Sequence, residues 1–262
     1  MKPKPRKWTR KELLLALNLY YKLPFGQLHA THPLIRRAAS KMKRTPASLS
    51  MKLCNLASLD PNLLARGIEG LPNASRLDQE VWHDYHARWD TLTAEAEELA
   101  QEVLGEPTTE LGRPKPRRAP KTAPKRTESE GQRKSRVGQD YFRAVVLAAY
   151  GEKCCVSGTR VPELLRASHI IPWKDDVENR LNPSNGLCLS AHHDAAFDRG
   201  LITFDSKMRL VLSDYLEGFL PDDVVEREFV ARKGLPLRPP DRFEPNKRFL
   251  AWHRRNKFLD AG

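Results

Sequence analysis

Two histidines and an asparagine on short apolar stretches are the residues whose types and spacing point most directly to chemistry. Ala167-Ser168-His169-Ile170-Ile171-Pro172-Trp173 carries the first histidine, and sixteen residues later comes Asn185-Gly186-Leu187-Cys188-Leu189-Ser190. Eight residues beyond Asn185, His193 lies in Ala191-His192-His193-Asp194-Ala195-Ala196-Phe197-Asp198-Arg199-Gly200. An imidazole with an ordinary pKa near ~6.5 can take a proton from water at cellular pH, or bind a metal. Asn-Gly is also a turn signal in its own right. On its type alone, Asn185 is open between turn residue and functional residue.

Positioning these side chains takes a strand, a loop, a second strand and a helix. Leu164-Leu165 leads into a strand ending at His169, and Lys174 to Ser184 is a polar loop. Asn185 to Ser190 is the second strand, followed by a short helix stopped at Gly200. Asp140 caps a preceding helix, Tyr141 to Tyr150, that ends at Gly151. Leu201 to Phe204 and Met208 to Leu212 alternate around Asp205-Ser206 as a hairpin. The Pro-, Arg- and Lys-rich tail from Arg238 to Phe258 sets Phe249, Leu250, Trp252 and Phe258 to dock on this core, with His253 in a packing role. The predicted fold class is α+β.

The pattern S-H-I-x-P-W, then N-G-L-x-L-S, then H-D-x-A-F-D-x-G-L resembles HNH endonucleases from about Tyr141 to Leu212. The resemblance implies the ββα-metal fold and hydrolysis of DNA phosphodiesters, with His169 as general base. His193 then holds a divalent ion, Mg²⁺ or Mn²⁺, with Asn185 either aiming His169 or joining Asp194 as a further ligand. Many relatives place Asp where Ser168 stands, and a hydroxyl is a poor substitute for a carboxylate toward a hard cation. Many also carry paired CxxC zinc ligands, which Cys154 and Cys188 lack, so no structural zinc is expected. Cys154, Cys155 and Cys188 then read as small buried residues. Adjacent helical residues diverge by about 100°, so His192 is read as a surface or substrate-contact residue. Asp198 and Arg199 read as a helix-end pair, with Arg199 a further phosphate contact. A bacterial restriction or defence role accompanies the resemblance; the alternatives are RNA cleavage and a non-enzymatic DNA-binding or regulatory protein on a degenerate HNH fold.

The flanking chain is read as a DNA-holding apparatus. Forty-five Lys and Arg against 33 Asp and Glu give a net charge of +12 and a pI near 9.7, which favours a polyanionic partner. Thr9 and Glu12 form a capping box for a first helix, His32 to Met42 forms a second, and Thr45-Pro46 opens a third through Ala57. W-T-x-x-E-L and R-T-P-A resemble the Myb/SANT or helix-turn-helix group. On this reading Leu49, Met51, Leu53 and Leu56 face a core while Lys43, Arg44, Ser48 and Lys52 face DNA. Trp82, Tyr85, Trp89, Leu92, Ala96, Leu99 and Val103 form a heptad seam on one helix from Asp78 to Gly105, which suits a homodimer contact or packing against the first three helices.

Residues 113 to 136 hold ten basic side chains against two acidic ones, with prolines at 107, 114, 116, 120 and 124 across the segment. This predicts a disordered basic linker in which Arg117 and Arg118 meet phosphate. The predicted domains are residues 1–105, helical, for DNA binding or interaction; 106–137, the linker; and 138–262, the nuclease and its tail. No apolar run approaches a bilayer span or a signal peptide's core, so a cytoplasmic, membrane-free protein is expected.

Overall fold

The computed structural model describes residues 6–105 and 130–259, with the side chains of 130–135 excepted. Arg117 and Arg118, with most of the expected linker, lie outside the described residues. The chain divides into two compact units, Met1–Ala144 and Val145–Gly262. No described helix is long and apolar enough to cross a membrane.

The first unit is helical: α1 (Arg10–Lys22), α2 (Pro33–Lys41), α3 (Pro46–Ala57), α4 (Pro61–Ala65), α5 (Arg76–Ala87) and α6 (Trp89–Leu104). Thr9 and Glu12 close a capping box on α1, and the Thr45 hydroxyl caps α3 with Pro46 at its first position. The expected single helix from Asp78 to Gly105 is broken at Arg88, whose φ of −128° lies outside helical space. The break lets both halves of the seam turn toward α1. Tyr21 packs on Trp82, Tyr85 and Trp89, with ring centroids 6.2, 5.8 and 5.1 Å away. Leu92 and Ala96 are buried in the same layer. The part of the seam from Trp82 to Ala96 is therefore packed within the chain, while Leu99 and Val103 stay partly exposed. Gly105, at φ 74°, ends α6 as expected.

Three further readings of α3 and its approach are corrected. Met51, expected in the core, is 59% exposed. Lys52, expected on the DNA-facing surface, is buried with its ammonium 2.7 and 2.9 Å from the two oxygens of Asp78. Arg44 sits over the Trp8 ring at 3.8 Å and bonds Glu12 at 2.8 and 3.0 Å. Its guanidinium is thus committed within the fold, whereas Lys43 stays exposed. A second buried ion pair joins Lys22 to Glu97, which also accepts from the Asn18 amide at 2.8 Å.

α7 (Glu130–Ala149) begins well before the expected cap at Asp140, with no proline between positions 124 and 162 to interrupt it. The antiparallel pair β1 (Leu165–His169) and β2 (Gly186–Ser190) follows in the second unit, in the register Leu165↔Ser190 to His169↔Gly186. β2 runs straight into α8 (Ala191–Asp198), and Gly200 follows at φ 74°. β3 (Ile202–Phe204) and β4 (Leu210–Leu212) form the expected hairpin. Two short helices, α9 (Asp214–Glu217) and α10 (Asp223–Glu228), precede α11 (Lys247–Asn256). Leu250 and His253 are the buried positions of α11, and His253 stacks flat on Phe197 at 3.8 Å. The strand, strand, helix unit is the α+β core that the spacing of His169, Asn185 and His193 anticipates.

Candidate active site

His169 occupies the last position of β1, beside the turn that starts β2. It is half-buried and lines a cleft of 270 Å³ with Ile170, Pro172, Asp198, His253 and Lys257. Its Nε2 stands 3.0 Å from the Arg180 carbonyl. A carbonyl only accepts, so Nε2 carries the hydrogen and Nδ1 is the basic nitrogen. Trp173 meets the ring edge-on at 5.5 Å, and Arg180 both covers Trp173 and donates to its carbonyl at 2.7 Å. The imidazole is thereby held in one orientation. Burial pushes its pKa below 6.5, with the Arg180 carbonyl opposing the shift.

Asn185 is fully buried. Its Oδ1 accepts from Ile171 N at 2.8 Å, while its Nδ2 donates to Ile171 O at 3.0 Å and Asn179 O at 3.3 Å. Its own carbonyl accepts from Ile170 N at 2.9 Å. These bonds stitch the exit of β1 to the loop that returns to β2, and so set where His169 stands. The expectation that Asn185 ligates an ion is corrected, because its amide is spent on backbone groups in a site closed to solvent.

His193 is also fully buried. Its Nδ1 lies 2.6 Å from Ser190 Oγ and its Nε2 3.0 Å from the Glu228 carbonyl, with Phe229 against the ring at 5.2 Å. Cys154 bonds to it as well: burial raises this thiol, but hydrogen bonds with His193 and Ser157 outweigh that and bring it to about 6. Five residues on, Asp198 lies about 140° around α8 from His193, so the two address different surroundings. Asp194, four residues before Asp198, shares its face instead. Partial burial and then the Asp194 charge raise the Asp198 carboxyl, with Lys257 and Arg199 opposing.

Ser168 is buried, its hydroxyl has no hydrogen-bond partner, and it does not line the cleft. Arg199 is exposed at the end of α8 and donates to Ala195 O at 3.3 Å. Contrary to the expected divergence of adjacent histidines, the His192 and His193 rings come within 4.3 Å of each other. Cys154, Cys155 and Cys188 are all buried.

Sequence reasoning missed Asp198 and Lys257 as cleft residues. The spacing of Asp194 and Asp198 was a usable signal, since residues four apart stack on one helical face. Nothing local marks Lys257, which reaches the cleft through the strap after α11. That strap is seated on Gly200: Leu259 N donates to Gly200 O at 2.9 Å, and a Cβ at Gly200 would lie 1.9 Å from Lys257 O. Gly200→Ala is therefore expected to displace the strap and lower stability by at least about 1–2 kcal/mol, the left-handed backbone penalty alone. Urea denaturation checks this, and an unchanged midpoint would show that the strap is not seated there.

In the first unit, Arg6, Lys7, Trp8, Lys43, Arg44, Thr45 and Ser48 line an open basic cleft at the start of α3. Of the four side chains expected at DNA, Lys43 and Ser48 line it freely, Arg44 lines it while tied to Glu12, and Lys52 is absent from it.

A model of the HNH endonuclease family matches residues 154–205, which span β1, β2, α8 and β3. No curated protein matches the chain at a significant level.

Proposed function

From the premise that residues 154–205 form an HNH endonuclease domain, we propose that this protein hydrolyses phosphodiester bonds of DNA with the help of a divalent ion. The observation that carries this reading is His169 at the strand end, oriented by Arg180 and Trp173 and facing a cleft with Asp198 and Lys257. His169 acts as general base through Nδ1, taking the proton of the water that attacks phosphorus. Asn185 positions it by holding the loop.

The residues fit an Mg²⁺ or Mn²⁺ ion. Two carboxylates four apart on α8, one already raised by partial burial and then by its neighbour's charge, are the oxygen donors that hard cations prefer. Asp194 and Asp198 would supply oxygen donors; His193 keeps its place as a ligand through its cluster with His192 and Glu228, whose ligand atoms lie within 4.8 Å of one another, and Asn185 alone is withdrawn. Such an ion supplies neutralisation of phosphate charge and of the departing sugar oxygen. Lys257 adds a cation at the same cleft, and Arg199 contributes a phosphate contact from the helix end.

The helical unit and the basic segment with Arg117 and Arg118 supply sequence-independent affinity, chiefly from Lys7, Lys43 and Ser48 at the mouth of α3. A restriction or defence role in a bacterial cytoplasm suits a nuclease joined to a DNA-holding head. Plasmid DNA and single-stranded RNA of equal nucleotide concentration, each given Mg²⁺, Mn²⁺ or EDTA, test the substrate: cutting of DNA in either metal and not in EDTA is expected, and cutting of RNA alone would overturn it.

The pH profile follows from His169. It must be neutral to accept a proton, and its pKa lies below 6.5. Cleavage should hold steady as pH falls from 8 to about 6.5 and decline only below that. An acid limb centred above neutrality would exclude this imidazole as the base.

A further inference from the structure

The stretch from Asp214 to Glu228, which forms α9, α10 and the turn between them, has a character of its own. Six of its residues are carboxylates and one is an arginine, in a protein of net charge +12. Glu217 pairs with Lys233, and Glu228 with Arg227 and Arg232. Asp214, Asp223 and Glu226 are exposed, and none has an ion-pair partner among the described residues. Tyr215, Phe219, Leu220 and Val224 are exposed along the same stretch, the two rings at 60 and 57%. Those rings meet edge-on at 5.3 Å, while Leu216 is buried. α9 is thus anchored by Leu216 and offers its aromatic pair to solvent. Apolar side chains scattered singly over a surface need no explanation, but four within ten positions make a patch that a partner can use.

We propose that this acidic, aromatic surface docks the chain's own basic segment, Arg113 to Arg126. The segment reads Arg113-Pro114-Lys115-Pro116-Arg117-Arg118-Ala119-Pro120-Lys121-Thr122-Ala123-Pro124-Lys125-Arg126, seven basic side chains and four prolines with no acid. Charge complementarity selects it, because carboxylates repel DNA and anionic lipid alike and attract a polycation. The aromatic pair supplies the other half of the match. Proline-rich segments bind aromatic surfaces because proline leaves little conformational freedom to lose, and guanidinium groups stack on Tyr and Phe faces. Neither half needs to be strong, since a tethered segment meets its surface at about millimolar effective concentration. Phosphate competes for the same cations, so docking holds the segment back from DNA until a duplex displaces it. That competition rests on the DNA-binding reading; the docking itself does not.

A labelled peptide of residues 113–126 is titrated with the full chain in which the seven basic residues of that segment are each changed to Gln. Its Kd should lie at or below about 1 mM, the concentration that a short tether supplies. Adding Tyr215→Ala and Phe219→Ala, which leave every carboxylate in place, should raise that Kd at least about twofold, the worth of one exposed cation–π contact. Both rings are exposed, so the thermal midpoint should stay where it is. In the unaltered chain, zero-length carbodiimide coupling and peptide mapping should join Lys115, Lys121 or Lys125 to Asp214, Asp223 or Glu226. An isotope-mixed sample should show these links within one chain, and excess duplex DNA should remove them. The proposal is overturned by no peptide binding, by binding indifferent to the ring substitutions, by no such links, or by links only between differently labelled chains, which would make the occupant a second copy. Links that persist in saturating duplex would overturn the competition with DNA.

Discussion

His169→Ala should lower the single-turnover rate of DNA cleavage by about a hundred- to ten-thousand-fold, the usual contribution of a general base. The fold should survive the change. His169 is at the end of β1 rather than within it, and it bonds the Arg180 carbonyl on a loop rather than a strand neighbour. The Asn185 bonds that hold the same loop do not involve the imidazole. DNA affinity should change little, because the phosphate contacts proposed for Lys43, Arg199 and Lys257 do not include the imidazole. A variant that cleaves at the wild-type rate would remove His169 from the chemistry, and one that loses secondary structure would show that the ring is structural.

Lys52→Ala should destabilise the helical unit by about 3–5 kcal/mol, the range for removing one partner of a buried ion pair. Asp78 is wholly inaccessible, and it accepts from Ser75 N at 2.7 Å as the third residue of an α5 capping box. Without the ammonium, its carboxylate keeps that cap but loses its counter-ion in a site that water does not reach. Lys43→Ala is the contrast: it is exposed and should stay within about 0.5 kcal/mol of wild type. It should instead reduce the slope of log affinity against log salt by about one. Urea denaturation and DNA titrations at several salt concentrations on both variants separate the roles. If Lys52→Ala is as stable as wild type and only its DNA binding weakens, the surface reading of Lys52 is restored.

The contrast between these lysines shows where sequence is readable and where it is not. Caps depend on residues no more than three apart, and Thr9–Glu12 and Thr45–Pro46 appear where local chemistry puts them. Lys52 lies among Ser48, Leu49 and Leu53 with nothing to separate it from a solvated lysine; its partner is 26 residues away. The seam from Trp82 to Val103 keeps its three-and-four spacing through Arg88, so no periodicity announces the break. It is the fit of Tyr21 against Trp82, Tyr85 and Trp89 that requires it.

In the second unit, strand, turn and helix follow from Leu165, Gly186 and Gly200. The motif letters brought His169 and Asn185 to one loop, but they said nothing of which α8 face meets the cleft. That depends on Cys154, Ser190 and Phe229 drawing His193 into the core, and on Asp194 and Asp198 being left for the other side. Lys257 arrives from the end of the chain through a contact with Gly200 that only tertiary packing creates.

Conversion of supercoiled plasmid to nicked or linear product, by the purified full chain and by His169→Ala side by side, tests the central claim most directly. Wild-type protein in Mg²⁺ or Mn²⁺ should cut, the same protein in EDTA should not, and the variant should leave the plasmid supercoiled at matched DNA binding. Intact plasmid with the wild type in every metal, or equal cutting by His169→Ala, would contradict a nuclease built on this cleft.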